Sequence, residues 1–168
     1  LAPNGSSYED LNNYSIVIKL EYGNTSFIFT GDAEEISERE MLVKGFNLSA
    51  DVLKVGHHGS NSSTTVEFLS AVSPKHAVIS VGDGNDYGHP HAAILARLNE
   101  LGVKIYRTDE VGTIIATSDG KTITFDKEAS PIKENAPPQA ENDSKKPSES
   151  VSSNIVYVTK TGQKYHSD

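Results

Sequence analysis

Apolar and β-branched residues recur along the chain in short runs, at 15–20, 26–30, 51–55, 77–81, 103–106, 113–117 and 122–125. Runs of this length predict strands, some alternating and half-buried, others buried on both faces. In "LEYGNTSF" and "ATSDGKTITF" a Gly-Asn or Asp-Gly pair separates two such runs, which predicts two β-hairpins. Three helical stretches interrupt the strands. The first, 33–44, ends at Gly45; the second, 64–72, opens on Ser and Thr capping residues; the third, 91–101, has Pro90 at its first turn and Gly102 just past its end. Ile94, Leu95, Leu98 and Leu101 keep helical spacing and give the third helix one buried face. Hairpins mixed with strand-helix-strand units predict an α/β fold, in the layered α+β sense, with sheets covered by helices.

The pattern stops at Lys127. "KEASPIKENAPPQAENDSKKPSESVSS", residues 127–153, has almost no large apolar side chain, so burial cannot offset the entropy of ordering it, and a disordered linker is expected. Residues 154–168, "NIVYVTKTGQKYHSD", form a short β-prone piece, the start of a separate module. The folded domain is expected over 1–126, long enough to bury a real core. It opens on the loop-like "LAPNGSS" without a methionine, and we expect an upstream part.

Composition narrows the chemistry. The chain has no cysteine, so disulfides and thiolate metal sites are excluded and only His, Asp and Glu remain as metal donors. No apolar run approaches the roughly 20 residues of a membrane span. The net charge of −8 lies wholly in residues 1–126, with nine Lys and Arg against seventeen Asp and Glu. That balance argues against a basic domain that coats nucleic acid, although bound cations can reverse the local sign.

Three segments carry candidate chemistry. In "SFIFTGDAEE" a strand runs into Thr30-Gly31-Asp32, which places Asp32 either at the strand's C-terminal edge, where open α/β folds set their sites, or at the cap of the following helix. In "DVLKVGHHGSNSST" a buried strand leads through Gly56 to His57 and His58. Imidazole is a common metal ligand, and adjacent residues on extended chain point to opposite sides, so one histidine is expected at a metal and the other beside it. The glycine-rich loop from Gly82 brings Asn85, Asp86, Tyr87, His89 and His91 to a helix start, a place suited to an anion such as phosphate. His76, at the head of a strand, reads as structural, and His166 has no visible partner.

"FTGDAEE", "DVLKVGHHGSNSSTTVEFLSAVSPKHAVISVG" and "NDYGHPHAAILARLNELGVKIYRTDEVGTI", in that order, closely resemble the metallo-β-lactamase-like domain of ComEC-type competence proteins over about residues 14–125. The resemblance implies the second half of an αββα sandwich with a metal-dependent hydrolase site at one edge. By it, Asp32 matches a carboxylate that commonly bridges two metal ions, and His58 the late histidine ligand of the second. His57 then sits beside the site, though the two histidines could exchange roles. His89, in "YGHP", is expected to contact phosphate or assist proton transfer, with Ser60, Asn85 and Tyr87 positioning the substrate. The family's first motif, His-x-His-x-Asp-His, and its isolated middle histidine are absent from these residues. The remaining ligands are therefore expected upstream, with the fragment inactive alone; a degenerate domain is the other reading.

With an upstream half supplied, the resemblance implies two divalent ions, zinc or manganese, and hydrolysis of phosphodiesters. The implied enzyme is a nuclease that degrades the DNA strand not imported, outside the cytoplasmic membrane and alongside an upstream membrane channel. "VYVTKTGQKYH" resembles the start of a short module found at the end of some secreted and surface proteins of Gram-positive bacteria, so an extracytoplasmic location, secreted or on the cell surface, is expected. A secreted metallo-hydrolase of another ester, of phosphocholine or lactone type, uses the same scaffold. A metal-free binding module is a third reading.

Overall fold

The computed structural model describes residues 1–130; the expected terminal module over 154–168 and all but the first four residues of the expected linker lie outside the described residues. Every run read as a strand forms one. β1 (Ile18–Tyr22), β2 (Thr25–Phe29), β3 (Val52–Lys54), β4 (His76–Ile79) and β5 (Lys104–Arg107) make a five-stranded sheet in sequential order, and β6 (Ala116–Ser118) and β7 (Ile123–Phe125) pair separately. Both expected hairpins are present: β1 and β2 pair antiparallel across Gly23-Asn24 with Tyr22 opposite Thr25, and β6 and β7 pair with Ser118 opposite Ile123. From β2 to β5 the strands are parallel, as strand-helix-strand crossovers require.

The crossovers are helices α1 (Glu35–Val43), α2 (Val66–Val72) and α3 (Ala92–Glu100), each two or three residues shorter than its sequence pattern. A one-turn helix α4 (Thr108–Val111), not expected from the sequence, follows β5. Ile28, Leu53, Ala77 and Ile105 lie side by side across β2 to β5 on one face of the sheet. They join Met41 of α1, Phe68, Leu69 and Val72 of α2, and Ile94 and Leu98 of α3 in a single buried core. Glu38 of α1 ties the helix layer together. Its buried carboxylate accepts hydrogen bonds from the Thr65 backbone N–H at 2.8 Å and hydroxyl at 2.7 Å, and from the Thr64 N–H at 2.5 Å.

The other face carries Ile18, Leu20, Tyr22, Phe27 and Phe29, placed together by the β1–β2 register. The β6–β7 hairpin covers only its far side and one corner: Phe125 stacks on Tyr106 with ring centres 4.1 Å apart and lies 4.9 Å from His76, while Ser118 Oγ meets Thr25 Oγ1 at 2.7 Å. His76 thus sits in a structural aromatic cluster. The result is one helix layer on one sheet layer, with the packed chain running on to Ser130, whose N–H bonds Ile105 O at 2.7 Å. The packing therefore extends four residues past Asp126 through a backbone bond that composition does not register. Among the described residues no helix is long and apolar enough to cross a membrane.

Candidate active site

Because β2, β3 and β4 are parallel, the segments leaving their C-terminal ends gather at one edge of the sheet. The β2 end supplies Thr30-Gly31-Asp32, the β3 end Gly56 to Ser63, and the β4 end Ser80 to Pro90. Two glycines let these segments approach. A Cβ on Gly56 would sit 3.0 Å from Ala33 O and 3.3 Å from Thr30 Oγ1, and one on Gly59, at φ +85°, would sit 2.6 Å from Pro90 Cβ.

The two histidines do not lie on extended chain. His57 (φ 44°, ψ 45°) and His58 (φ 56°, ψ 18°) both occupy the left-handed region, inside a tight turn over Gly56–Gly59. The conformation costs about 1 kcal/mol or more per non-glycine residue and concentrates at functional sites. Tertiary bonds hold it: His57 N–H donates to Gly31 O at 3.1 Å, Ser60 N–H to His57 O at 2.9 Å, and the Ser63 hydroxyl to Gly56 O at 2.9 Å. The side chains still part company, as expected.

His58 turns to Asp32. Its Nδ1 lies 2.5 Å from Ser80 O. A carbonyl only accepts, so Nδ1 carries the proton and Nε2 presents a lone pair. That Nε2 faces Asp32 Oδ1 at 3.4 Å. Two lone-pair donors set against each other are poorly satisfied alone and well satisfied by a cation between them. A tetrahedral ion with bonds of about 2.0–2.2 Å needs its donors roughly 3.3–3.5 Å apart, so this donor pair fits a divalent metal. Among the described residues no group of three or more His, Cys, Asp or Glu is placed to hold an ion, so Asp32 and His58 alone do not complete a coordination shell. Asp32 does not cap α1; the cap position is Glu34, which makes no side-chain capping bond.

His57 turns instead to Glu34, with Nδ1 3.0 Å from Oε1. His89 lies with its ring centre 5.6 Å from that of His57 and 4.8 Å from that of His91, and Tyr87 stacks on it at 5.8 Å. Burial, then the neighbouring imidazoles of His91, His57 and His58, push the His89 pKa down to about 4, so it is neutral at pH 7. Ser60 and Asn85, read as substrate contacts, are turned inward. Ser60 is buried with its hydroxyl 3.0 Å from that of Ser62, and Asn85 donates to His89 O at 2.6 Å and to Gly82 O at 3.1 Å while accepting from His89 N–H at 3.0 Å. Their polar atoms are used in shaping the loops. Tyr87 is exposed beside His89 and free to meet a ligand.

Sequence reasoning missed three neighbours. Glu34 and Ser62 flank His57, and Lys54, at the end of β3, is a largely buried ammonium donating to Val55 O at 2.8 Å. Desolvation pushes the Lys54 pKa down, opposed by the charge of Asp32. Glu34 had a weak signal, an acidic run directly after Asp32, which reads equally well as helix-start acids.

Residues 5–83, which contain Asp32 and both histidines of the turn, match the family model of the metallo-β-lactamase superfamily. Over these residues the chain is similar to that superfamily. The chain is 45% identical over 125 residues to ComE operon protein 3 of Bacillus subtilis (strain 168), covering 74% of this chain and 16% of the relative. It is 40% identical over 115 residues to Competence protein ComA of Neisseria gonorrhoeae, covering 68% of the chain and 17% of the relative. With Recombination protein 2 of Haemophilus influenzae (strain ATCC 51907 / DSM 11121 / KW20 / Rd) it shares 37% over 103 residues, 61% of the chain and 13% of the relative. The chain thus spans less than a fifth of the length of each of these relatives. The α/β fold agrees with part of a metallo-β-lactamase fold, and the chain resembles competence proteins over the residues that carried the sequence resemblance.

Proposed function

We propose that the protein is a metal-dependent phosphodiesterase that cuts DNA during its uptake. The observation that carries this reading is the facing pair of Asp32 Oδ1 and His58 Nε2 at 3.4 Å, with the His58 tautomer set by Ser80 O. Divalent ions, zinc or manganese, held there together with ligands from outside the described residues would supply a water of lowered pKa and polarise a phosphodiester. The chain's own residues do the rest. Asp32 and His58 hold their donor atoms at one sheet edge, while the His57 and His89 rings and Tyr87 line the approach and orient phosphate oxygens and bases. His89 enters neutral, so it serves as a hydrogen-bonding group and not as a charge.

The open sheet face supports a further part of the reading: the apolar row from Ile18 to Phe29 packs against the other sheet of an αββα sandwich, formed by a segment outside this chain that also brings the remaining ligands. The competence names of the relatives support an involvement with DNA; an extracytoplasmic location and a neighbouring membrane channel are part of the same proposal. The test is cleavage of end-labelled single-stranded and duplex DNA by the full-length protein with manganese or zinc, beside Asp32→Ala. Degradation that needs metal and drops by about a hundredfold or more in Asp32→Ala is the expected result. Intact DNA with cleavage of a chromogenic ester turns the reading to another ester hydrolase, and intact DNA with no bound metal overturns the enzyme.

A further inference from the structure

The Glu34–His57 contact is built from both sides. Glu34 Oε1 lies 3.0 Å from His57 Nδ1 and accepts the Ser62 hydroxyl proton at 2.7 Å. Ser62 Oγ is also 3.3 Å from Nδ1, but its proton is spent on the carboxylate. Nδ1 therefore faces only acceptors and must itself carry a proton. Among the described residues Nε2 has no hydrogen-bond partner. Behind Glu34 stands buried Asn13, whose amide donates to Oε2 at 3.4 Å while its oxygen accepts from the N–H groups of Glu34 and Ser37 at 3.3 and 3.2 Å. The Asn12 amide adds a bond to Oε1 at 3.3 Å. The carboxylate is thus fixed before it fixes the imidazole.

We propose that Glu34 is a positioning residue: it holds His57 as the Nδ1–H tautomer, with the ring fixed beside His89 and Nε2 free to accept a hydrogen bond from the substrate or its attendant water. The role of Nε2 rests on the phosphodiesterase reading; the tautomer does not. An imidazole without such a partner favours the Nε2–H form in water, so the assignment makes a distinct spectroscopic statement.

The test is a long-range proton–nitrogen correlation spectrum of the chain with labelled histidines at pH 8, the His57 signals assigned by their loss in His57→Asn. His57 is expected as Nδ1–H in the wild type, as Nε2–H in Glu34→Ala, and as Nδ1–H again in Glu34→Gln, whose amide oxygen still accepts. His58, held by Ser80 O, stays Nδ1–H throughout and reports that the loop is intact; if Glu34→Ala disturbs both rings, Glu34→Gln decides. A wild-type His57 in the Nε2–H form, or one indifferent to Glu34→Ala, overturns the proposal. In the full-length protein Glu34→Ala should lower kcat about tenfold or more with KM little changed, and Glu34→Gln should recover most of it. Wild-type protein that leaves DNA intact removes the phosphodiesterase reading while the tautomer result stands.

Discussion

The two faces of the five-stranded sheet are built from equally apolar residues and have opposite fates. On one, Ile28, Leu53 and Ala77 are 0% exposed beneath α1, α2 and α3. On the other, Ile18, Leu20 and Tyr22 remain 53%, 50% and 57% exposed. A row of large apolar side chains on a sheet is a surface awaiting cover, because water gains nothing by touching it and a second layer would. The difference teaches where the molecule is finished. The finished face carries the stability of the fold and aims the loops; the unfinished one runs beneath the same sheet edge at which Asp32 and His58 set two donor atoms face to face.

Truncating the covered face should have the largest effect. Leu53→Ala removes a fully buried side chain and is expected to cost about 2–5 kcal/mol in urea unfolding, whereas Leu20→Ala in the same chain should cost under about 1 kcal/mol. In the full-length protein the two costs should converge; a Leu20→Ala cost that stays small there breaks the proposal that this face is covered. Next comes the tie within the helix layer. Glu38→Ala leaves the Thr64 and Thr65 N–H groups without their acceptor and should cost about 3 kcal/mol, read by the same unfolding curves. Burial raises the Glu38 pKa, so its carboxylate protonates more readily than an exposed one as the pH falls. Gly56→Ala has a smaller effect on stability and a larger one at the edge, since the new Cβ meets Ala33 O at 3.0 Å and pushes the Asp32 and His58 loops apart; metal affinity measured by calorimetry on the full-length protein should fall about tenfold.

The smallest effect is a pH slope. The folded protein protonates His89 only near pH 4, while the unfolded chain does so near 6.5, so between those values the unfolded state binds more protons and stability falls as pH drops. His89→Asn should remove that part of the slope, measured as the difference in Tm between pH 7 and pH 5. A slope unchanged by the substitution would place His89 in contact with solvent in both states.

Seven strands, three crossover helices and both hairpins were legible in the sequence because each rests on local periodicity and turn chemistry. The ends moved where a distant group intervened. The first strand begins at Ile18 and not at residue 15, since Ser15 closes a 3-10 turn over Leu11–Tyr14 by donating its N–H to Asn12 O, and its hydroxyl oxygen accepts the Asp32 N–H. That Asp32, His57, His58, Tyr87 and His89 gather at one sheet edge was also readable, from polar groups in the segments that follow strands in an otherwise apolar pattern. Ser60 and Asn85 looked the same on paper and proved to be spent within their loops.

What the sequence determined by itself is the succession of elements and the kinds of atom available at the sheet edge, since both depend on neighbours along the chain. Only the tertiary structure decided which nitrogen each histidine presents, because that depends on Ser80 O and on Glu34, 22 and 23 residues away. It also decided which of two equally apolar sheet faces is covered, because alternation tells that a strand has two sides and cannot tell which one the helices cross.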